Sequence, residues 1–253
     1  MTPNPLTYLY AVRTATGPVP GSVPGVDGER PRLVVEGDLA AVVGSVGASR
    51  FDEEALARDL EDLGRLESLA RAHHAVVAEA ARTQPTAPVR LATLYRDDEA
   101  VRRLLADRAE EFTAILERIE GRWEWGVKAY VKPTTRPEER EAGSPSASDR
   151  PGTSYLLRRR ADRDRGERER ERARTVADDL HRTLRTHAAA GRLFPLQDAR
   201  LSGRADEMVL NATYLVDAGK EDGFRSTVDS VDGATVELTG PWPPFSFASL
   251  EGT

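Results

Sequence analysis

The chain has 253 residues and a formal net charge of −6, with 39% hydrophobic residues, 31% charged residues and no cysteine. This length suits one large domain or two ordinary ones, and the absence of cysteine excludes disulfides, thiolate metal sites and cysteine nucleophiles. The acidic balance argues against a nucleic acid partner, and the lack of a long apolar run and of a signal-peptide pattern predicts a soluble, cytoplasmic protein.

The first part of the chain is predicted to form an α/β unit that ends at Gly121, a residue typical of helix C-termini. Alternating apolar residues indicate strands, and apolar residues at three- and four-residue steps indicate helices. The predicted elements are strands 6–12, 32–36 and 39–46, a helical stretch 52–77, a strand 89–95 and one long helix 97–120. An irregular loop rich in proline and glycine, 14–31, follows the first strand.

The second part of the chain is predicted to have the element order β-α-β-β-α-β, which is that of ferredoxin-like domains. The elements are strand 123–131, helix 155–189, strand 193–201, strand 207–216, helix 217–230 and strand 231–239. The second strand is the weakest of these because Pro195 interrupts it. The segment 133–153 is rich in proline and polar residues and is predicted to be a mobile loop.

We therefore predict an α+β protein with two domains. The N-terminal α/β domain covers 1–121, and the C-terminal ferredoxin-like domain covers 122–253 with a proline- and aromatic-rich tail at 240–253.

The tail contains the most unusual segment of the chain, Gly240-Pro241-Trp242-Pro243-Pro244-Phe245-Ser246-Phe247. Proline lacks a backbone N–H, so this segment cannot join a helix or a central strand and is predicted to be stiff and extended. Each aromatic ring would bury ~150–250 Å² if packed. The segment either folds back across the second domain as a clasp or presents an apolar surface to a partner. The residues predicted for this role are Pro241, Trp242, Pro243, Pro244, Phe245 and Phe247.

The sequence contains no recognisable catalytic, cofactor-binding or metal-binding constellation. The nucleotide-binding, zinc-binding and nucleophile-elbow motifs are all absent. His73 and His74 are adjacent, so their side chains diverge on a helix, and we expect one to pack between helix and sheet and the other to face solvent. His181 and His187 also diverge. We therefore predict no cofactor, no metal site and no enzymatic activity.

The segment Arg158–Arg174 is strongly charged, with nine arginines and five acidic residues, a net charge of four positive. Opposite charges recur at three- and four-residue spacings, which stabilise an exposed helix by ~0.2–0.5 kcal/mol per pair. An exposed, self-paired helix is the first interpretation, and a docking surface for an acidic partner is the alternative. No aromatic residue is interleaved to stack on bases, which argues against nucleic acid binding.

Several segments together resemble the gas vesicle accessory proteins of the L/F family, over nearly the whole chain. They are Tyr8-Leu9-Tyr10-Ala11-Val12, the His73/His74 helix with Pro88-Val89-Arg90-Leu91-Ala92-Thr93-Leu94-Tyr95, Glu124-Trp125-Gly126-Val127-Lys128, Gly152-Thr153-Ser154-Tyr155-Leu156, Leu210-Asn211-Ala212-Thr213-Tyr214-Leu215-Val216 and the closing segment. The closing segment is the most specific of these. One departure is Ala92, where the family usually has glycine; if that glycine has a positive φ, the local turn here must differ.

The resemblance implies a two-domain α+β protein with a ferredoxin-like second domain and a non-enzymatic role as a minor component needed for gas vesicle assembly. The implied partners are the small, hydrophobic major shell protein and other gas vesicle accessory proteins, and the implied location is the cytoplasm and the gas vesicle. The alternative is a ligand-responsive regulatory or enzymatic ferredoxin-like protein, with a site near the sheet that includes His74 and Arg90.

Overall fold

The computed structural model describes residues 5–51, 62–132, 151–197 and 206–248. Over these ranges the chain forms two β-sheets and five α-helices. It divides into two compact units, the first formed by Met1–Glu124 with Gly240–Thr253 and the second by Trp125–Thr239.

The first unit has a mainly antiparallel sheet with strand order β2-β3-β1-β4, and β5 also pairs with β1. Its elements are β1 (Leu6–Thr14), β2 (Arg32–Glu36), β3 (Leu39–Val46), α1 (Leu63–Ala81), β4 (Thr86–Pro88), β5 (Leu94–Tyr95), α2 (Asp98–Asp107) and α3 (Ala109–Ile119). The part of the predicted helical stretch before Asp62 lies outside the described residues. Every β1 residue from Thr7 to Arg13 is buried, so β1 is the central strand of this unit.

A β-bulge at Tyr10 sets which side chains of β1 enter the core beside α1. Leu9 pairs with Val43 and Ala11 pairs with Val42, so Tyr10 is the additional residue. Tyr10 and Ala11, although adjacent in sequence, therefore belong to the same core cluster.

The glycine- and proline-rich loop after β1 is held by the carboxylate of Glu29. The Tyr10 hydroxyl donates a hydrogen bond to Glu29 Oε1 at 2.6 Å, and the Asp27 backbone N–H donates to Oε2 at 2.9 Å. The Val26 N–H in turn donates to the Tyr10 hydroxyl oxygen at 2.8 Å. A Cβ atom at Gly44 would lie 2.0 Å from Glu29 Oε1, so the carboxylate occupies space that only glycine leaves open.

The strand predicted at 89–95 was wrong over most of its length: only its last two residues form a strand, β5, and the preceding residues form a turn that joins β5 to β4. Ala92 lies in this turn with a φ of 60°, in the left-handed region. Its N–H donates a hydrogen bond to the Tyr8 hydroxyl oxygen at 2.9 Å. Ala92 thus adopts the positive φ itself. The turn therefore does not have to differ, as we had expected it to, from one with glycine at this position.

The long helix predicted over 97–120 is two helices, α2 and α3, that meet at Arg108. The Asp97 carboxylate caps α2 by accepting a hydrogen bond from Ala100 N at 2.8 Å. Arg108 leaves helical geometry, with φ −120° and ψ 25°, and its guanidinium donates to Glu111 Oε2 at 2.6 Å. The apolar stripe nevertheless continues across the break, through Val101, Leu105, Phe112, Ile115, Leu116 and Ile119.

The second unit contains the six elements that its sequence predicts, in the order β-α-β-β-α-β. They are β6 (Arg122–Val131), α4 (Pro151–Thr186), β7 (Ala190–Leu193), β8 (Glu207–Asp217), α5 (Glu221–Asp229) and β9 (Thr235–Trp242), and the sheet order is β7-β8-β6-β9. The second strand ends at Leu193, before Pro195, so its predicted bounds of 193–201 were wrong. Most of the predicted loop 133–153 lies outside the described residues, and α4 begins at Pro151.

The core of the second unit lies between its sheet and helices α4 and α5. Its buried residues are Trp125, Val127, Ala129, Ala177, Leu180, Leu184, Leu210, Ala212, Tyr214, Val216, Phe224 and Val228. The guanidinium of Arg225 lies 4.5 Å from the centre of the Trp125 ring, a cation–π contact at the edge of this core.

The arginine-rich part of α4 is an exposed helix, as its charge pattern predicts. The arginines described between 159 and 174 are all exposed, and Glu171 and Arg174, three residues apart, form an ion pair with an N–O distance of 3.8 Å. Within the parts of the chain that the structure describes, no helix is both long enough and apolar enough to cross a membrane.

Ala92→Gly is expected to stabilise the protein by about 0.5–1 kcal/mol. Glycine removes the strain of a Cβ atom at positive φ, and its greater freedom in the unfolded chain offsets part of that gain. Urea denaturation of the two proteins measures the difference. The matched control is Ala114→Gly on the exposed face of α3, where glycine is expected to destabilise by about 1 kcal/mol. Destabilisation by both substitutions would contradict the strain at Ala92.

Candidate functional site

The closing segment packs on the first unit, and its predicted placement across the second domain was wrong. Gly240–Thr253 groups with Met1–Glu124. The segment was predicted to pack on the second domain because it directly follows the last strand of that domain in the sequence. Its contacts are instead with side chains of α1, α3 and the start of β6, which are remote in sequence and have no local signal in the tail.

Two aromatic residues of the segment cover the adjacent histidines of α1. The Trp242 ring meets the His74 ring edge-on at a centroid distance of 5.2 Å. Phe245 stacks on His74 at 5.8 Å and lies 6.2 Å from His73. His73 is buried beside the sheet, as expected for one of the pair, but His74 is half-buried under these rings. The expectation that the second histidine faces solvent was therefore wrong.

Polar contacts fix the backbone of the segment after its prolines. Glu124 is 6% exposed, and its carboxylate accepts hydrogen bonds from the Ser246 backbone N at 2.7 Å and from Ser246 Oγ at 2.5 Å. The Arg118 guanidinium donates to the Phe247 carbonyl oxygen. The Ala248 N–H donates to the Pro244 carbonyl at 3.0 Å, which closes a turn.

The six residues predicted as a clasp or partner surface separate into buried and exposed groups. Pro243, Pro244 and Phe247 are buried, and Phe245 is half-buried. Pro241 is exposed and Trp242 retains 44% of its accessible surface. Both are the last residues of β9, an edge strand, where proline can be accommodated. The segment therefore has a buried anchor and an exposed end.

Beneath the segment, His73 belongs to a buried polar network. Its Nδ1 lies 3.0 Å from the Tyr8 hydroxyl oxygen. Because the Ala92 N–H already donates to this oxygen, the hydroxyl proton is available for donation to Nδ1. Burial lowers the pKa of His73 to about 4, the nearby His74 acts in the same direction, and the Val89 backbone opposes them. His73 is therefore neutral at pH 7.

A cavity of about 450 Å³ lies beside the segment in the first unit. Its apolar lining residues are Leu9, Ala87, Pro88, Val89, Leu104, Phe112, Phe245 and Ala248, and its polar ones are Arg90, Thr93, Tyr95 and Arg108. Arg90, which the alternative prediction paired with His74, lines this cavity, whereas His74 lies under the tail and is not among its lining residues.

Two residues that hold the tail, Glu124 and Arg118, were not predicted from the sequence. The only local signal was a carboxylate at Glu124 between two tryptophans of an apolar strand. A buried carboxylate needs hydrogen-bond donors, but the pattern does not identify which ones.

Over the described ranges, no group of three or more histidine, aspartate or glutamate residues is arranged to hold a metal ion.

Acidification is expected to destabilise the protein through His73. Its pKa is about 4 when folded and ~6.5 when unfolded, so protonation favours the unfolded chain. The associated stability is complete above pH ~6.5 and is lost as the pH falls towards 4, with a loss of about 2 kcal/mol between pH 7 and pH 5. Urea denaturation across this range measures it. His73→Gln is expected to flatten this pH dependence and His187→Gln to retain it; equal slopes in both variants would refute the assignment to His73.

Glu124→Gln is expected to loosen the closing segment and to cost about 1.5–3 kcal/mol, because one of the two acceptors facing Ser246 becomes a donor. Hydrogen exchange at residues 244–248 measures the loosening directly. Glu117→Gln, which makes the same change on the exposed surface of α3, is the control and is expected to leave exchange unchanged. Unaltered protection in Glu124→Gln would show that the carboxylate does not hold the segment.

Comparisons with known proteins identify one family over nearly the whole chain. The family model for "Gas vesicle synthesis protein GvpL/GvpF" matches residues 6–249. Gas vesicle protein L of Streptomyces sp. (strain CB03234) is 44% identical over 253 residues, covering 99% of this chain and 95% of that protein. Gas vesicle protein L1 of Halobacterium salinarum is 29% identical, covering 95% and 89%.

Solved structures show the same fold. The crystal structure of the gas vesicle protein GvpF from Anabaena sp. PCC7120 matches with a TM-score of 0.70 at 16% identity, covering 98% of each chain. That of GvpF from Microcystis aeruginosa matches with a TM-score of 0.63 at 14% identity, covering 97% of this chain and 99% of the other. These matches support the mixed α/β architecture. With a family model that spans all but the ends of the chain and a relative that is 44% identical over its length, this protein belongs to the GvpL/GvpF family of gas vesicle synthesis proteins.

Proposed function

We propose that this protein is a non-enzymatic accessory component that binds the hydrophobic major shell protein and supports gas vesicle assembly, in the cytoplasm and on the vesicle. Membership of the family supports a role connected with gas vesicles. The observation that carries the finer proposal is the exposed Trp242 at the end of a segment whose following residues are anchored.

An anchored aromatic residue suits binding to an apolar partner. Trp242 is held on one side by His74, so little conformational freedom remains to be lost when a partner covers the other side. Tryptophan is enriched among residues that dominate binding energy. Shell subunits with exposed apolar patches tend to self-associate, and a folded partner that covers such a patch would prevent this before assembly.

We further infer that the second unit is a ferredoxin-like domain and that it contacts other gas vesicle accessory proteins. The element order β-α-β-β-α-β and the sheet order β7-β8-β6-β9 support the domain type. The exposed arginines of α4 provide a surface suited to an acidic accessory partner.

Trp242→Ser is expected to weaken co-purification with the major shell protein by ~10-fold or more, because hot-spot aromatic residues contribute ~2 kcal/mol or more. The experiment co-expresses the tagged full chain with the shell protein and quantifies the recovered complex. Leu63→Ser is the control, since Leu63 is 80% exposed on α1 and loses a comparable apolar group. The proposal fails if Trp242→Ser remains folded and binds as strongly as the control.

One observation supports the alternative hypothesis from the sequence, a ligand-responsive regulatory or enzymatic protein. The cavity beside the tail contains Arg90, one of the two residues that this alternative named.

A further inference from the structure

The cavity of the first unit has the size and lining of a small-molecule site. Its volume of about 450 Å³ falls within the range of ~300–1,000 Å³ typical of such sites. It reaches the centre of the sheet, where Leu9 and Ala87 are each 1% exposed. Leu104, Phe112 and Phe245 form further apolar walls, so the interior favours a hydrocarbon group.

Two polar groups of the lining have unused hydrogen-bonding capacity. Among the residues that the structure describes, no ion pair or hydrogen bond occupies the Arg90 guanidinium or the Tyr95 hydroxyl. Burial raises the pKa of Tyr95, with Arg108 acting in the opposite direction, so its hydroxyl is protonated at neutral pH and can donate. Both groups are donors, so they fit an acceptor on the ligand.

The charges around the cavity favour a single negative charge on that ligand. Arg108 is paired with Glu111 through two hydrogen bonds, of 2.6 and 3.1 Å, which neutralise it. Arg90 is exposed and leaves one unpaired positive charge at the cavity within the described residues. A carboxylate matches this charge and can accept two parallel N–H hydrogen bonds from a guanidinium. A dianionic phosphate would leave one charge uncompensated near Glu111.

We propose that this cavity binds a medium-chain alkyl carboxylate, with the hydrocarbon chain against the apolar walls and the carboxylate at Arg90 and Tyr95. The site lies in the first unit and does not use Trp242, so it is independent of the proposed shell contact. Because Phe245 and Ala248 line the cavity, an occupant also contacts the closing segment.

The test is binding of sodium decanoate to the full chain, below its micelle concentration, by calorimetry and thermal shift. We expect saturable binding and a rise in Tm of ~3 °C or more at saturation. Decan-1-ol, which has the same chain without the charge, is expected to bind ~10-fold or more weakly, because a charge-assisted hydrogen bond is lost.

Three variants locate the site. Arg90→Gln is expected to reduce decanoate affinity ~10-fold while leaving decan-1-ol affinity unchanged. Arg103→Gln makes the same change on α2 away from the cavity, where the arginine side chain is 62% exposed, and is expected to bind both compounds normally. Leu104→Trp fills the cavity and is expected to abolish both.

The proposal is overturned if decanoate does not bind saturably, if decan-1-ol binds equally well, or if Arg90→Gln and Arg103→Gln behave alike. Arg90→Gln keeps a side chain of similar length at an exposed position, so its result remains interpretable even if Leu104→Trp does not fold. None of these outcomes affects the co-purification test with Trp242→Ser, so the two proposals fail separately.

Discussion

The first unit depends on how the hydroxyl groups of two tyrosines are satisfied inside a strand that is buried along its length. Tyr8 and Tyr10 are both fully buried in β1. A buried hydroxyl without a partner costs roughly 1–3 kcal/mol, so each hydroxyl requires nearby polar groups. Tyr10 obtains them from Glu29 and Val26, which positions the long loop after β1. Tyr8 obtains them from Ala92 and His73, which positions the turn between β4 and β5 and the middle of α1.

The closing segment packs against the part of α1 that this hydrogen-bond network holds in place. His73 and His74 form the part of α1 that faces the segment, and the network fixes His73, so the rings of Phe245 and Trp242 meet a rigid surface. Glu124 and Arg118 then hold the backbone beyond Pro244. The position of the segment follows from these contacts, which join residues 242–247 to α1, α3 and the start of β6 within one compact unit.

Sequence periodicity located most elements because each depends on local side-chain alternation or helical spacing. It predicted β2 and β3 with their observed bounds and the element order of the second unit. It failed where a distant side chain determines the local structure. The apolar run 89–95 alternates like a strand, but the hydrogen bond from Ala92 to Tyr8 requires a turn. The long helix divides at Arg108, where no proline or glycine marks the break. The tail partners and the cavity come from elements distant in sequence, so no local pattern contains them.

Phe245 connects the two surfaces to which we assign functions. One part of its environment is the ring of His74, beside the exposed Trp242, and another is the cavity that contains Arg90. Phe245 is half-buried, with the His74 ring and the cavity as two parts of its surroundings. A ligand that fills the cavity would add contacts to one side of this ring and reduce its freedom. Trp242 is three residues away and is already held by the His74 ring, which is not part of the cavity lining. The cavity and the exposed tryptophan are therefore neighbouring surfaces of one anchored segment that can be occupied separately.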